Sequence, residues 1–139
     1  MPLFVKRLTC TAILPTRAYP TDAGLDLYAD ERIEIPAHSR AWVSTGIAVA
    51  IDASKVGLVW PRSGLAGKGL TVDAGVIDAS YRGEVKVLMV NNNDISRMIS
   101  PGDKIAQMII QQVDFNTPMA VDELPGTDRG ENGFGSTDT

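Results

Sequence analysis

The 139 residues predict an all-β fold, and three observations carry that prediction. Apolar residues recur at period two: Ile47, Val49 and Ile51 alternate with Ala48 and Ala50, and Val85, Val87 and Met89 with Lys86 and Leu88. Breakers at Pro15, Pro20, Pro36, Pro61, Pro101-Gly102 and Pro118 punctuate the chain at the ~8–12-residue spacing of short strands. No stretch sustains a helical apolar period. Together these indicate a β-sandwich, jelly roll or barrel.

The elements follow in order. Apolar runs at Leu3–Ile13, Ile47–Ile51, Val56–Trp60, Val85–Met89 and Ile105–Val113 are strand candidates. Ser63-Gly64-Leu65-Ala66-Gly67 is short and suits one helical turn capped by Ser63. Leu70-Thr71-Val72 and Val76-Ile77 flank Asp73-Ala74-Gly75, which reads as a β-hairpin with a short connection ending in glycine. Residues 116–128 carry two prolines, one glycine and several acids, the composition of an extended strap. The expected division is a β domain over residues 1–115 and a strap with a C-terminal arm over residues 116–139.

Composition narrows the function classes. Hydrophobic residues make up 44% and charged residues 22%, as in a globular domain with a core of its own. A net charge of −4 argues against a broad footprint for nucleic acid or an anionic membrane. Cys10 is the one cysteine, so no internal disulfide forms, and a reducing compartment is expected. No apolar run approaches ~18 residues, and no basic-then-apolar leader opens the chain. The expectation is a soluble protein, cytoplasmic or, from a eukaryotic or viral source, nuclear.

Five segments carry chemistry. In Ala23-Gly24-Leu25-Asp26-Leu27-Tyr28-Ala29, Asp26 is either a satisfied turn carboxylate or an acid facing a site. Pro61-Arg62-Ser63-Gly64-Leu65-Ala66-Gly67-Lys68-Gly69 places a cation, a hydroxyl and free N–H groups at a turn, which is either an ordinary glycine-rich loop or an anion cradle. It lacks P-loop spacing. In Gly75-Val76-Ile77-Asp78-Ala79-Ser80-Tyr81-Arg82-Gly83, Asp78 could orient a water and Tyr81 bound a sugar; otherwise they are a turn acid and a packed ring. Gln107, within Gly102-Asp103-Lys104-Ile105-Ala106-Gln107-Met108-Ile109-Ile110, is either a core hydrogen-bonder or a ligand contact. The tail from Arg129 to Thr139 sets Phe134 between glycines beside a cation. That suits a flap closing over a base and phosphates, against the default of a frayed terminus.

In this order the motifs AGLDLYA, PRSGLAGKG, GVIDASYRG, GDKIAQMII and RGENGFGST resemble the dUTPase family over Ala23 to Thr137. The resemblance implies a jelly-roll-like barrel or sandwich with a flexible arm, assembled as a homotrimer whose active sites are shared between subunits. It implies hydrolysis of dUTP to dUMP and pyrophosphate, which limits uracil in DNA and supplies dUMP for dTMP synthesis. Asp78 would activate the water that attacks the α-phosphorus. Arg62, Ser63, Gly64, Gln107 and Arg129 would hold phosphates, and Mg²⁺ would ride on the triphosphate with Asp26 meeting it through water. Main-chain groups around Asp73, Gly75, Val76, Ile77 and Lys86 would read uracil, and Tyr81 would exclude a 2′-hydroxyl. Phe134, Gly135 and Ser136 of the arm would close over the nucleotide.

Some departures accompany the match. Val72 stands where some members carry Asn, Glu131-Asn132 replaces a glycine-rich pair, and Asp138 replaces a glycine. Lys68 and Arg82 are cations near the site that are expected to face solvent or a neighbouring subunit. The related deoxycytidine triphosphate deaminases resemble one another in a Glu ten residues past the hairpin Asp, where this chain has Leu88. They also read Arg-Ser-Ser where it has Arg62-Ser63-Gly64. A nucleotide-sensing module without catalysis is the remaining rival.

Overall fold

Eleven strands and one helical turn make up residues 2–135, the residues that the computed structural model describes. In chain order they are β1 (Phe4–Arg7), β2 (Gly24–Tyr28), β3 (Ile33–Ile35), β4 (Arg40–Ser44), β5 (Ile47–Ala50), β6 (Lys55–Trp60), α1 (Ser63–Ala66), β7 (Leu70–Asp73), β8 (Val76–Ile77), β9 (Lys86–Asn91), β10 (Arg97–Ile99) and β11 (Lys104–Gln112). All pairings are antiparallel, in the orders β2-β11-β6-β8, β4-β9-β7, β1-β5 and β10-β3. The all-β, jelly-roll-like class read from the sequence is the one observed.

Period two explains the core. On β9, Val87, Met89 and Asn91 are buried, whereas Lys86, Leu88 and Val90 face outward. β5 departs from that pattern, because Ile47, Ala48 and Val49 are all covered. The inward rows of all four sheets meet in one cluster that includes Leu27, Ile35, Val43, Met89, Ile105 and Met108. Burying each such side chain contributes roughly 1.5–3 kcal/mol.

Three local expectations change. The Leu3–Ile13 run yields only the four residues of β1, since the Thr9 hydroxyl accepts the Ala12 N–H at 3.1 Å and turns the chain. The helical turn at Ser63 forms, but Arg62 occupies the cap position and no side chain caps it. The arms of the expected hairpin do not pair with each other: β7 pairs with β9, and β8 with β6. Ala74 at φ 55° turns the chain between sheets, and the Gly75 carbonyl accepts the Val59 N–H at 2.8 Å. A Cβ on Gly75 would stand 2.6 Å from the Val59 oxygen, so only glycine permits this approach.

Two polar anchors hold the connections. Asp52 Oδ1 accepts the Ser54 N–H at 2.9 Å and its hydroxyl at 2.5 Å before β6, and these bonds hold the Asp52 carboxyl below the usual carboxylate range. Asn91 is fully buried. Its Nδ2 donates toward the carbonyls of Ile35, Pro36 and Ile95 at 3.0, 3.2 and 2.9 Å, and its Oδ1 accepts both Asn93 donors at 2.9 Å. One amide thereby ties β3, β9 and the turn before β10.

Asn91→Ala is expected to destabilise the fold by at least about 2 kcal/mol, because it strands several buried polar groups at once. Urea denaturation checks this as a lower midpoint at unchanged slope; an unchanged midpoint contradicts it.

Candidate active site

Strand β11 assembles the first cleft. Its register with β2 shifts between Lys104 and Ala106, so Ile105 is an extra residue. Ile105 and Ala106 therefore both point inward and are buried. The bulge places Lys104 and Gln107, three residues apart, on the same outer face. Gln107 lies directly opposite Asp26 of β2 on one side and Trp60 of β6 on the other.

Asp26 meets two cations there. Arg62 Nε lies 3.2 Å from Oδ1 and Lys104 Nζ 3.4 Å from Oδ2, with the Asp26 side chain only 14% exposed. Arg62 also donates to the Lys104 carbonyl at 3.5 Å. Gln107 Nε2 donates to the Pro61 carbonyl at 3.0 Å, holding the start of the α1 turn against β11. A Cβ on Gly24 would sit 2.2 Å from Gln107 Oε1, so that glycine makes room for the amide. Asp22, Gly24, Asp26, Arg62, Ser63 and Gly64 are among the lining of a cavity of about 320 Å³. The N–H groups of Ser63, Gly64 and Leu65 precede the first bond of the turn, from Ala66 N to the Arg62 carbonyl at 2.9 Å. Cations, a hydroxyl and unspent N–H groups make this cleft an anion receptor.

The second cleft lies at the β8 end and shares no lining residue with the first. Trp42, Val76, Ile77, Asp78, Tyr81, Glu84 and Lys86 surround about 400 Å³. Asp78 also borders an adjoining cavity of about 650 Å³ with Lys55, Arg82 and Phe115. The Tyr81 N–H bonds to the Asp78 carbonyl at 3.0 Å, so one turn carries both side chains. Asp73 and Gly75 do not line the cavity; they bracket the bend leading into it. Arg82 is exposed, its guanidinium donating to the Ala79 carbonyl at 2.6 Å, and Lys68 is exposed too. A carboxylate facing a part-apolar slot with an aromatic wall suits a flat, partly apolar group.

The described part of the arm completes neither cleft. Among the described residues, none after Phe115 lines either cavity, and Arg129 turns back so that its Nε donates to the Asn132 carbonyl at 2.6 Å. Phe134 is wholly exposed at φ 49°, followed by Gly135 at φ 92°. Ser136 lies outside the described residues.

Lys104, which pairs with Asp26, and Glu84 and Trp42, which line the second cleft, were not singled out by their sequence. Lys104 appears in the sequence only within the GDKIAQMII motif, because its approach to Asp26 requires the bulge at Ile105. Glu84 and Trp42 fall outside the recognised motif positions. Trp42, 54% exposed, occupies the outward position of β4 opposite Leu88, and an outward Trp in an alternating strand is the signal that would have found it. Among the described residues, no helix is long and apolar enough to cross a membrane.

The family model described as dUTPase matches residues 11–138. The deoxyuridine 5′-triphosphate nucleotidohydrolase of Corynebacterium jeikeium is 46% identical over 143 residues, covering 98% of this chain and 92% of the relative. That of Clostridium kluyveri is 46% identical over 142 residues, covering 100% and 99%. Among solved structures, the Staphylococcus bacteriophage 80alpha dUTPase with dUpNHpp superposes with a TM-score of 0.93 at 30% identity, covering 99% of both chains. A variant dUTPase from phage phi11 of S. aureus that coordinates a structural Mg(II) ion superposes at 0.84 with 28% identity, covering 91% of this chain and 100% of that one.

Gly24→Ala should push Gln107 off the Pro61 carbonyl and cost about 1–3 kcal/mol for the stranded group. In a Gln107→Ala background the same change should cost far less, because the amide is already gone. Thermal melts of the four proteins measure this; equal costs in both backgrounds contradict it.

Proposed function

Because this chain belongs to the dUTPase family, we propose that it hydrolyses dUTP to dUMP and pyrophosphate, limiting uracil in DNA and supplying dUMP for dTMP synthesis. The observation that carries the reading is the division of labour between the clefts. One gathers Arg62, Ser63, Gly64 and Gln107 around Asp26, and the other sets Asp78 and Tyr81 along a part-apolar slot. The first suits a triphosphate and the second a deoxyuridine.

The roles follow from the chemistry of each group. Asp78 takes a proton from the water that attacks the α-phosphorus, acting as general base. Arg62, the α1 N–H groups and Gln107 meet the phosphate oxygens, where charge builds as pyrophosphate leaves. Main-chain groups from Asp73 to Ile77 and at Lys86 read the edge of uracil. Tyr81 walls the deoxyribose, so a ribose hydroxyl would clash or be buried unpaired, at a cost of roughly 1–3 kcal/mol. Arg129 adds charge at the γ-phosphate as the arm closes, Phe134 stacks on the base for about 1–3 kcal/mol, and Gly135 and Ser136 meet the nucleotide beside them.

The donor set fits Mg²⁺ carried by the substrate. No group of three or more His, Cys, Asp or Glu among the described residues could cage an ion. Asp26, which lines the anion cleft, would accept hydrogen bonds from an ion's waters. A hydrated Mg²⁺ there would neutralise charge on the phosphate oxygens.

The two half-sites, and an arm whose described residues line neither, support a homotrimer with shared sites. The phosphate cleft of one subunit would then face the slot of a second, and the arm would come from a third. The imido analogue dUpNHpp held by the phage relative is in keeping with this substrate.

Pyrophosphate release from dUTP tests the activity directly; a pure protein that releases none refutes it. Asp78→Asn is expected to keep dUTP binding while lowering kcat by at least ~10²-fold, the scale of a lost general base. Near-normal turnover in that variant contradicts the assigned role.

A chain ending at Asp128 is expected to melt as the full chain does yet hydrolyse dUTP poorly, since residues 129–135, the described part of what is removed, bury almost nothing. Hybrids of the truncated chain with Asp78→Asn chains should regain activity, because some sites would combine an intact Asp78 with an intact arm. Hybrids without activity contradict the shared site.

A further inference from the structure

Gly83 sits two residues after Tyr81 and one before Glu84, and nothing in its backbone demands glycine. It is absent from the glycines with positive φ, which are Gly46, Gly69, Gly102, Gly130 and Gly135. Space demands it instead. A Cβ at Gly83 would lie 2.4 Å from the Tyr81 hydroxyl, 2.6 Å from Cζ and 2.9 Å from Cε1, all far inside van der Waals contact. The phenol ring is folded back over residue 83, and its hydroxyl donates to the Glu84 carbonyl at 2.8 Å.

That carbonyl is itself held in place. Glu84 Oε2 accepts the Gly46 N–H at 2.9 Å, the Val85 N–H bonds to the Ile47 carbonyl at 2.8 Å, and the Thr45 hydroxyl donates to the Val85 carbonyl at 2.5 Å. Residues 84–85 are thus fastened to the connection between β4 and β5, where Thr45 and Val85 are buried. Gly46 is needed in turn: it has φ 70°, and a Cβ there would meet Asp30 Oδ2 at 2.5 Å. Tyr81 is otherwise 45% exposed, and a ring that free would lose rotamer entropy on binding unless something held it beforehand.

We propose that Gly83 and the Glu84 carbonyl form a seat that pre-sets the Tyr81 ring against the sugar, so that Gly83 is a positioning residue for selection of deoxyribose over ribose. This rests on the reading of Tyr81 as the wall of the sugar site. The seat acts before substrate arrives and touches no reacting atom. Its loss therefore raises KM for dUTP and spares kcat, while loosening rejection of UTP.

The test is steady-state kinetics on dUTP and UTP with Gly83→Ala, Tyr81→Ala and the double variant, each checked for an unchanged melting temperature. Gly83→Ala is expected to lower the ratio of kcat/KM for dUTP to that for UTP by about tenfold, the lower end of what one lost packing contact does to selectivity. Adding Gly83→Ala to Tyr81→Ala should change the ratio no further, since the ring it displaces is absent. Tyr81→Phe keeps the ring, breaks only the bond to Glu84 and should give an intermediate ratio, which tests the seat even if Gly83→Ala fails to fold. An unchanged ratio in Gly83→Ala or Tyr81→Phe, while Tyr81→Ala alters it, overturns the seat alone. So does a further loss in the double variant. An unchanged ratio in Tyr81→Ala overturns the assignment of Tyr81 itself, and the seat with it.

Discussion

The one-residue bulge at Ile105 governs how this chain builds the cleft around Asp26. Strict alternation along β11 would put Lys104 and Gln107 on opposite faces, because they are an odd number of residues apart. The bulge sends both Ile105 and Ala106 into the core and returns Gln107 to the face that carries Lys104. Asp26 then finds a cation on β11 and another just past β6, and Gln107 reaches the Pro61 carbonyl. Two apolar side chains buried in sequence thereby hold a polar site on the opposite side of the sheet. Because the anchor is packing, the charged groups need not stabilise the fold themselves; half-exposed ion pairs contribute little.

The same economy appears in the slot. β7 and β8 belong to different sheets, and the bend between them opens because each arm is already paired elsewhere, β7 with β9 and β8 with β6. Closed into a two-stranded hairpin, those main-chain groups would have satisfied one another. Parted from β7, β8 instead lies beside a slot that Ile77, Tyr81 and Lys86 help to line. Glycines act here by vacancy: Gly75 admits the Val59 carbonyl, Gly24 admits Gln107, and Gly83 admits the Tyr81 ring. In each case the missing side chain positions a neighbour.

Beyond β11 the chain changes character. Phe115, Met119, Val121, Leu124 and Phe134 are all exposed, more apolar surface than a strap of this length leaves in water without a use for it. Among the described residues, none of this segment joins the core cluster.

The sequence by itself determined the strand-rich class, the inward row of β9, and the grouping of chemistry into five ordered motifs, because period two and turn residues are local properties. It also marked Asp78 and Tyr81 as neighbours, since three residues in a turn are close in any fold. It misjudged the pairing of β7 with β8 and the cap at Ser63, since adjacency along the chain favours a hairpin and a serine favours a cap until other partners compete. Only the tertiary structure decided that Lys104 joins Asp26, that Trp42 and Glu84 border the slot, and that the cleft around Asp26 and the slot share no lining residue. Those facts depend on a bulge, on strand register and on which sheet claims each strand, all of which are set by packing between residues far apart in sequence.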